Sequence, residues 1–156
     1  MIEVQYTKDS LVRLLSDQHV DRLAHWCNCF HEPDTDMYRN LNRMTGGLVQ
    51  NVDVLESDKG EINKLGTYSE LVSDLFNQHV IIYNLYVSYT LKNDQYNTVH
   101  SLSVFSGLVS IIGQMESGET LVIPDLNDHD ELVTILDTIT SDYEQELPDV
   151  TVVVLT

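Results

Sequence analysis

Four side chains with metal-binding chemistry fall within the short segment HWCNCFH: His25, Cys27, Cys29 and His31. Zinc favours thiolate and imidazole ligands, so these four are the candidate metal ligands of the chain. We predict a helix over about residues 18–31, and on a helix Cys27 and Cys29 lie about 200° apart and cannot easily bind one ion. The favoured interpretation is therefore two small apolar cysteines packed in a core, with the histidines at the surface and with no bound metal and no cofactor.

The turn that follows, HEPDTD, supplies the carboxylates Glu32, Asp34 and Asp36. Oxygen ligands of this kind can hold Mg²⁺ or Ca²⁺. A metal-dependent hydrolase that uses His25, Cys29 or these carboxylates is accordingly one alternative function. No nucleophile motif, phosphate-binding loop or dinucleotide fingerprint accompanies them, so we expect the protein not to be an enzyme.

Charge is the most unusual property of the sequence. The formal net charge is −17, from 25 acidic and 8 basic residues, and residues 93–156 hold 12 of the acids and no lysine or arginine. Such a field repels nucleic acid and anionic lipid and attracts basic proteins. The charge therefore disfavours direct binding to nucleic acid or to a membrane.

The segment DLNDHDELVTILDTITSDYEQELPD, residues 125–149, concentrates nine of these carboxylates. Its apolar residues recur at helical spacing, which predicts a helix over 127–146 that begins at an Asp128 cap. The buried stripe of this helix is predicted to consist of Leu132, Ile135, Leu136, Ile139 and Tyr143.

The carboxylates of the predicted helix lie on its two outward flanks. Asp130, Asp137 and Glu144 recur at seven-residue spacing, which is about 10.5 Å of helix and close to three base-pair steps of about 3.4 Å. Near the carboxyl end of the helix, acidic side chains oppose the helix dipole, so stability alone does not explain them. The residues expected to bind a basic partner are Asp128, Asp130, Glu131, Asp137, Asp142, Glu144 and Glu146.

These features lead to the hypothesis of an acidic nucleic-acid mimic. Such a protein inhibits a basic nucleic-acid-handling protein by occupying its binding groove, and in size and charge the chain resembles the acidic anti-restriction, anti-CRISPR or repair inhibitors of phages and mobile elements. An immunity-type protein that neutralises a basic toxin is the second hypothesis. A solvated acidic face that only maintains solubility stays open as well, as does association into a homodimer.

The pattern of apolar residues predicts one α+β domain over residues 1–156 with a small mixed or antiparallel sheet, a β-hairpin and several amphipathic helices. Strands are predicted at 2–6, in ETLVIPD and in VTVVVLT, and helices after Thr7, at 35–44, from Thr67 or Ser69 through Phe76, and in SGLVSIIGQMES. Residues 48–65 are ambiguous. The hairpin is predicted within 79–105, with its turn at KNDQYN.

The cellular location is predicted from what the sequence lacks. The N-terminus has no secretory pattern, no apolar run approaches the roughly 18 residues of a membrane span, and two cysteines are too few for a disulfide framework. We therefore expect a cytoplasmic protein, in the host cytoplasm if it is viral.

Overall fold

Six strands form one mixed sheet in the order β1-β6-β5-β2-β4-β3. The computed structural model describes residues 1–89 and 99–156. Every pair of neighbouring strands is parallel except the pair at one edge, where β3 is antiparallel to β4. The strands are β1 (Ile2–Thr7), β2 (Arg22–Asn28), β3 (Tyr68–Leu75), β4 (Gln78–Ser88), β5 (Thr120–Pro124) and β6 (Val150–Leu155).

Helices cover both faces of this sheet. They are α1 (Leu11–Asp17), α2 (Asp36–Met44), α3 (Leu48–Glu56), α4 (Ser101–Gly113) and α5 (His129–Asp142), with one turn of 3-10 helix at Ile62–Lys64. Apolar residues of α4 and α5 pack on one face, and those of α1, α2 and α3 pack on the other. The central strands are therefore buried on both sides, as parallel strands generally are.

The fold class is confirmed: the protein is α+β, with a mixed sheet and five helices. The predicted strands at the two ends of the chain and at ETLVIPD are present as β1, β6 and β5. The predicted helices at 35–44 and in SGLVSIIGQMES correspond to α2 and α4, and the acidic helix is α5, with Asp128 as its cap.

The predicted helix over 18–31 is wrong, because this segment forms β2. Leu23 and Cys27 face one core while Ala24 and Trp26 face the other. A strand buried on both faces lacks the alternation of apolar and polar residues that identifies a strand from sequence. Its apolar residues therefore matched a helical spacing by chance.

The predicted helix through Phe76 is also wrong, because Tyr68–Leu75 is strand β3. Phe76 and Asn77 both have positive φ angles, 50° and 62°, and form a two-residue turn into β4. Positive φ at both central residues is the geometry that suits the twist of a hairpin. Pairing with β4 along the whole of β3 outweighs the local helical pattern.

The ambiguous residues after Gly47 form helix α3, followed by the 3-10 turn. The hairpin predicted within 79–105 is right only in its first strand, β4. Its predicted turn lies outside the described residues, and the residues after it begin helix α4 at Ser101. No helix among the described residues combines the length and apolar character needed to cross a membrane.

Helix α4 lies close to β4 because Gly107 faces Leu85. A Cβ atom on Gly107 would collide with the Leu85 side chain, coming within 2.9 Å of its Cδ2 atom and closer still to Cδ1. Both residues are buried in the core that α4 and α5 cover. The absence of a side chain at this position therefore sets how closely helix and sheet pack.

We predict that Gly107→Ala lowers the free energy of unfolding by about 1–3 kcal/mol, because overpacking forces the helix or the Leu85 side chain to move. Denaturant unfolding measures this change. Gly113→Ala is the control in the same helix, since its nearest non-local atom would be 3.8 Å away, and the gain in helix propensity should stabilise it slightly. Equal effects of the two substitutions would contradict the packing argument.

Candidate ligand-binding site

A crevice opens where strands β2 and β5 separate. The two strands are neighbours in the sheet, but their pairing covers only Arg22 with Leu121 and Leu23 with Val122. On its other side β2 stays paired with β4 as far as Asn28. The carboxyl ends of β2 and β5 are therefore not held together by backbone pairing.

The chain leaves these two strand ends toward opposite faces of the sheet. After β2 it continues into α2, which packs with α1 and α3, and after β5 it continues into α5, which packs with α4. In open α/β sheets, ligands bind in the crevice at the carboxyl ends of strands where successive connections diverge in this way. This edge is thus the expected position of a binding site.

Trp26 spans the gap between the two strands. Its indole N–H donates a hydrogen bond of 3.0 Å to the backbone oxygen of Asp125, which directly follows β5. The side chain is 6% exposed. The backbone pairing of β2 with β5 does not extend to Pro124, which has no backbone N–H to donate. A side-chain contact therefore replaces backbone pairing at this edge.

A tight turn after β2 shapes one wall of the crevice. The buried Asn28 side chain accepts hydrogen bonds from the backbone N–H groups of Phe30 and Glu32, at 2.9 and 3.3 Å, and donates one of 3.1 Å to the Glu32 oxygen. The chain then reaches Asp34 and Thr35, and Thr35 caps α2 by accepting from the Tyr38 N–H at 3.0 Å. Asn28 thereby fixes the position of Asp34 at the pocket wall.

The resulting pocket has a volume of about 320 Å³, within the usual range for small-molecule sites. Its described walls combine apolar side chains with amide, hydroxyl and carboxylate groups. The lining residues are Trp26, Cys27, Asn28, Asp34, Thr35, Met37, Val87, Ser88, Val99, Pro124, Asp125, Leu126 and Asn127.

A buried polar network supports the pocket from behind. Asp53, fully buried on α3, accepts hydrogen bonds from the hydroxyl groups of Tyr38, at 2.6 Å, and Tyr86, at 2.7 Å. Burial, together with the neighbouring Asp53 carboxylate, raises the pKa values of both tyrosines, so they stay donors. These bonds tie α2 and α3 to strand β4 and so hold the helix that begins at the pocket wall.

The network continues across the sheet to β2. The amide of Asn84 donates to Ser69 Oγ at 3.1 Å and to the Val49 backbone oxygen at 3.2 Å, and its oxygen lies 2.5 Å from His25 Nε2. Ser69 Oγ lies 3.0 Å from the Tyr86 hydroxyl. Each polar side chain of this network has a hydrogen-bond partner, as burial requires.

The four candidate metal ligands do not assemble into a metal site. Cys27 and Cys29 are buried as predicted, but the expectation that His25 lies at the surface is wrong, because it is fully buried with its ring nitrogens 3.8 Å from Cys27 Sγ. His31 lies apart, with Nε2 at 3.0 Å from Ser57 Oγ and 3.2 Å from Lys64 Nζ. Within residues 1–89 and 99–156, no cluster of three or more His, Cys, Asp or Glu side chains could hold a metal ion.

The acidic residues at the start of α5 follow the pocket lining in the sequence. Asp128 and Asp130 are exposed at the start of the helix, directly after the lining residue Asn127. Helix α5 ends at Asp142, so Glu144 and Glu146 lie beyond it and the predicted line of carboxylates is shorter than expected. No lysine or arginine of the described chain forms an ion pair with any of the seven predicted partner-binding acids (Asp128, Asp130, Glu131, Asp137, Asp142, Glu144 and Glu146). Binding of a basic partner by these acids stays a prediction.

Sequence reasoning identified Cys27 and Asp34 as candidate metal ligands but did not place them at a common pocket. It missed Trp26 and Ser88 entirely. The available signal was that Asn28, Ser88 and Asp125 each stand at the carboxyl end of an apolar run. Using that signal requires knowing that the three runs are parallel strands, and the apolar residues of the run that ends at Asn28 also fit a helical spacing.

Solved structures share this fold over nearly the whole chain. The macrodomain of Thermus aquaticus DarG aligns with a TM-score of 0.66 at 14% identity, covering 98% of this chain and 99% of that one. A macrodomain protein from Streptomyces coelicolor aligns with a TM-score of 0.63 at 14% identity, covering 96% and 98%. Because the sequence identities are only 14%, the structural likeness establishes the fold of this protein and nothing further.

Comparison of amino-acid sequences provides less information about this protein than comparison of structures. No family model matches the chain. An uncharacterized 17.5 kDa protein of Enterobacteria phage T4, from the tk-vs intergenic region, is 28% identical over 86 residues, and the match spans about half of each protein, 55% of this chain and 54% of the phage protein.

The macrodomain likeness overturns two expectations. The hypothesis of a nucleic-acid mimic that inhibits a basic protein is wrong, because these neighbours are macrodomains rather than DNA mimics or anti-restriction proteins. The same neighbours give no support to its immunity-type and metal-hydrolase alternatives. The expectation that the protein is not an enzyme conflicts with the same neighbours. Net charge describes which partners a surface attracts and carries no information about a pocket at a strand edge.

We predict that His25 makes stability depend on pH, because burial lowers its pKa from 6.5 to about 4 despite the bond to Asn84. Between these pH values the unfolded chain binds a proton that the folded protein does not. The free energy of unfolding should therefore be highest above pH 6.5 and fall by about 3 kcal/mol as the pH is lowered to 4.

Chemical denaturation at several pH values measures this effect. His25→Gln should flatten the dependence within this window, while His79→Gln, whose side chain is 77% exposed, is the matched control. A wild-type slope that His25→Gln leaves unchanged would show that another group is responsible.

Proposed function

We propose that this protein binds ADP-ribose, or an ADP-ribosyl group attached to another molecule, in the pocket at the carboxyl ends of β2, β4 and β5. One observation carries the proposal: the fold resembles that of macrodomains, a fold that binds or hydrolyses ADP-ribose, and its pocket lies where β2 and β5 separate. This is the position at which sheets of this kind receive nucleotides.

The pocket lining supports such a ligand. Val87, Pro124 and Leu126 supply apolar surface for a base or a sugar ring, and Asp34 and Asn127 supply polar atoms without a hydrogen-bond partner among the described residues. Pockets that combine apolar walls with a few fixed polar groups are typical of small-molecule sites. A carboxylate can accept hydrogen bonds from ribose hydroxyl groups.

Hydrolysis of an ADP-ribosyl bond is the second candidate. The Asp34 carboxylate lines the pocket and accepts no hydrogen bond from the described residues, so it is able to take a proton from an attacking water. Release of ADP-ribose from a modified protein would demonstrate the activity. Asp34→Ala should abolish that release; release that persists in the variant would exclude Asp34 as the base.

We predict that ADP-ribose changes the fluorescence of Trp26 and raises the midpoint of thermal unfolding. Trp26 is the only tryptophan of the chain and lines the pocket, so its emission reports on this site directly. At a ligand concentration of about 100 times Kd, the expected stabilisation is about 2.7 kcal/mol.

A variant that narrows the pocket tests its position. Asn127→Phe places an aromatic ring at the lining and should weaken binding at least about 10-fold, since Asn127 is exposed and its replacement leaves the core intact. Gln145→Phe, an equally exposed change beyond the far end of α5, is the control. If ADP-ribose changes neither the emission nor the unfolding midpoint of the wild-type protein, the proposed function is wrong.

A further inference from the structure

A second cavity lies beside the loop that joins α2 to α3. Its volume is about 430 Å³, and Pro33 lines it, whereas the next residue, Asp34, lines the ligand pocket. The described lining of this second cavity contains two arginines, Arg39 and Arg43, and no acidic residue. Positive charge is therefore concentrated here, on a chain whose formal net charge is −17.

The local sequence explains why these side chains meet. Arg39 and Arg43 are four residues apart on α2, so they share one face of the helix. Gly47, directly before α3, has a φ of 90°, in the region that favours glycine. The Asn42 side chain accepts a hydrogen bond of 2.9 Å from the Gln50 backbone N–H. This bond holds the first turn of α3 against α2, and Gln50 lines the cavity with the two arginines.

The Arg39 guanidinium is held in place by its neighbours. Its Nη1 donates a hydrogen bond of 2.7 Å to the Pro33 backbone oxygen, and its Nη2 pairs with the Asp36 carboxylate. The Asp36 side chain is 92% exposed, so water screens this pair. Arg43 has no acidic partner among the described residues, and its charge is therefore available to a ligand.

The donors that a ligand can use in this cavity belong to side chains. The backbone N–H groups of Gly47 and Gln50 already donate to Asn42, to its backbone and side-chain oxygens at 2.7 and 2.9 Å. Within residues 1–89 and 99–156, neither the Arg43 guanidinium nor the Gln50 side-chain amino group has an acceptor. A ligand with several acceptor oxygens satisfies both groups.

A phosphate group has the chemistry that this set of donors requires. The planar guanidinium of arginine donates two parallel hydrogen bonds to two oxygens of a phosphate. The remaining oxygens of the tetrahedral group point in other directions and can accept from a second arginine and from an amide. A carboxylate has only two oxygens in one plane, so a single guanidinium already uses both of them.

We propose that this cavity is a phosphate-binding site in which Arg43, Arg39 and Gln50 donate to the phosphate oxygens. The ligand is a phosphate group, either as the free ion or at the end of a phosphomonoester. The inference is independent of the proposed function, because none of these three residues lines the ligand pocket.

Titration with inorganic phosphate at a constant ionic strength of about 0.15 M, followed by NMR, tests the inference. The backbone amide signals of Gly46 and Gly47, which line the cavity, should shift and saturate. Acetate should bind at least about 5-fold more weakly, because it has fewer acceptor oxygens. Glycine signals that do not move, that move without saturation, or that respond equally to acetate would overturn the inference.

Phenyl phosphate, a phosphomonoester, distinguishes the two sources of the phosphate group. Saturable binding of both compounds supports a site for phosphomonoesters, whereas binding of inorganic phosphate alone supports a site for the free ion. Failure of both compounds to bind overturns the inference and leaves the ADP-ribose proposal unaffected.

Two substitutions locate the binding in this cavity. Arg43→Gln keeps a good helix former and should weaken phosphate binding about 5–10-fold, since it removes a charged donor. Gln50→Glu places a carboxylate of similar size at the cavity and should weaken binding at least about 10-fold.

Arg13→Gln is the matched control, because Arg13 is an exposed arginine of another helix, α1, with its side chain 70% exposed. It changes the net charge by the same amount as Arg43→Gln and should leave phosphate affinity within about twofold. A loss as large as that of Arg43→Gln would show that binding follows net charge rather than this cavity, which would overturn the inference.

Discussion

The separation of β2 and β5 is the constraint on which the site depends. Both strands are buried between helix layers, so each must stay in the sheet, yet they pair over only two residues of each strand. The chain leaves their carboxyl ends for opposite faces of the sheet, and the space between those ends becomes a pocket. Trp26 bridges the gap through its bond to the Asp125 backbone, which keeps the crevice at a defined width.

The buried Asp53 network makes the α2 side of this crevice rigid. A carboxylate with no exposure to solvent is costly unless hydrogen bonds satisfy it, and here Tyr38 and Tyr86 do so from two different elements. Because Tyr38 belongs to α2, whose first turn follows Asp34 and Thr35, the same bonds fix the wall that carries the free carboxylate. The polar interior therefore positions the site without being part of it.

The location of the acidic residues in the folded protein changes how the acidity of the chain is interpreted. Two of its carboxylates, those of Asp34 and Asp125, line the rim of a concave pocket rather than an open surface. A charged rim has more influence on a small ligand than an open charged surface has, since charges beside a low-dielectric wall are screened less by water. The distribution of charge along the sequence does not show whether a carboxylate lies at the rim of a pocket or on an open surface.

The sequence alone determined the features that depend on neighbours within a few residues. These were the α+β class, the strands at both ends of the chain, and helix α5 with its Asp128 cap and four of the five residues predicted for its buried stripe. The fifth, Tyr143, lies beyond the end of the helix and is half-buried. Helix capping and the spacing of apolar residues depend on residues that are close in sequence, so both can be predicted without knowing the tertiary structure. The excess of acidic residues is likewise a property of the sequence itself.

Only the tertiary structure determines that β2 and β3 are strands and that a pocket forms at the strand ends. β2 has no alternation because both of its faces are buried, and β3 becomes a strand because β4 is available to pair with it. Trp26 and Asp125 are 99 residues apart and meet only in the folded sheet. A site built from the ends of separate strands has no sequence motif, because its geometry comes from long-range pairing and from where that pairing stops.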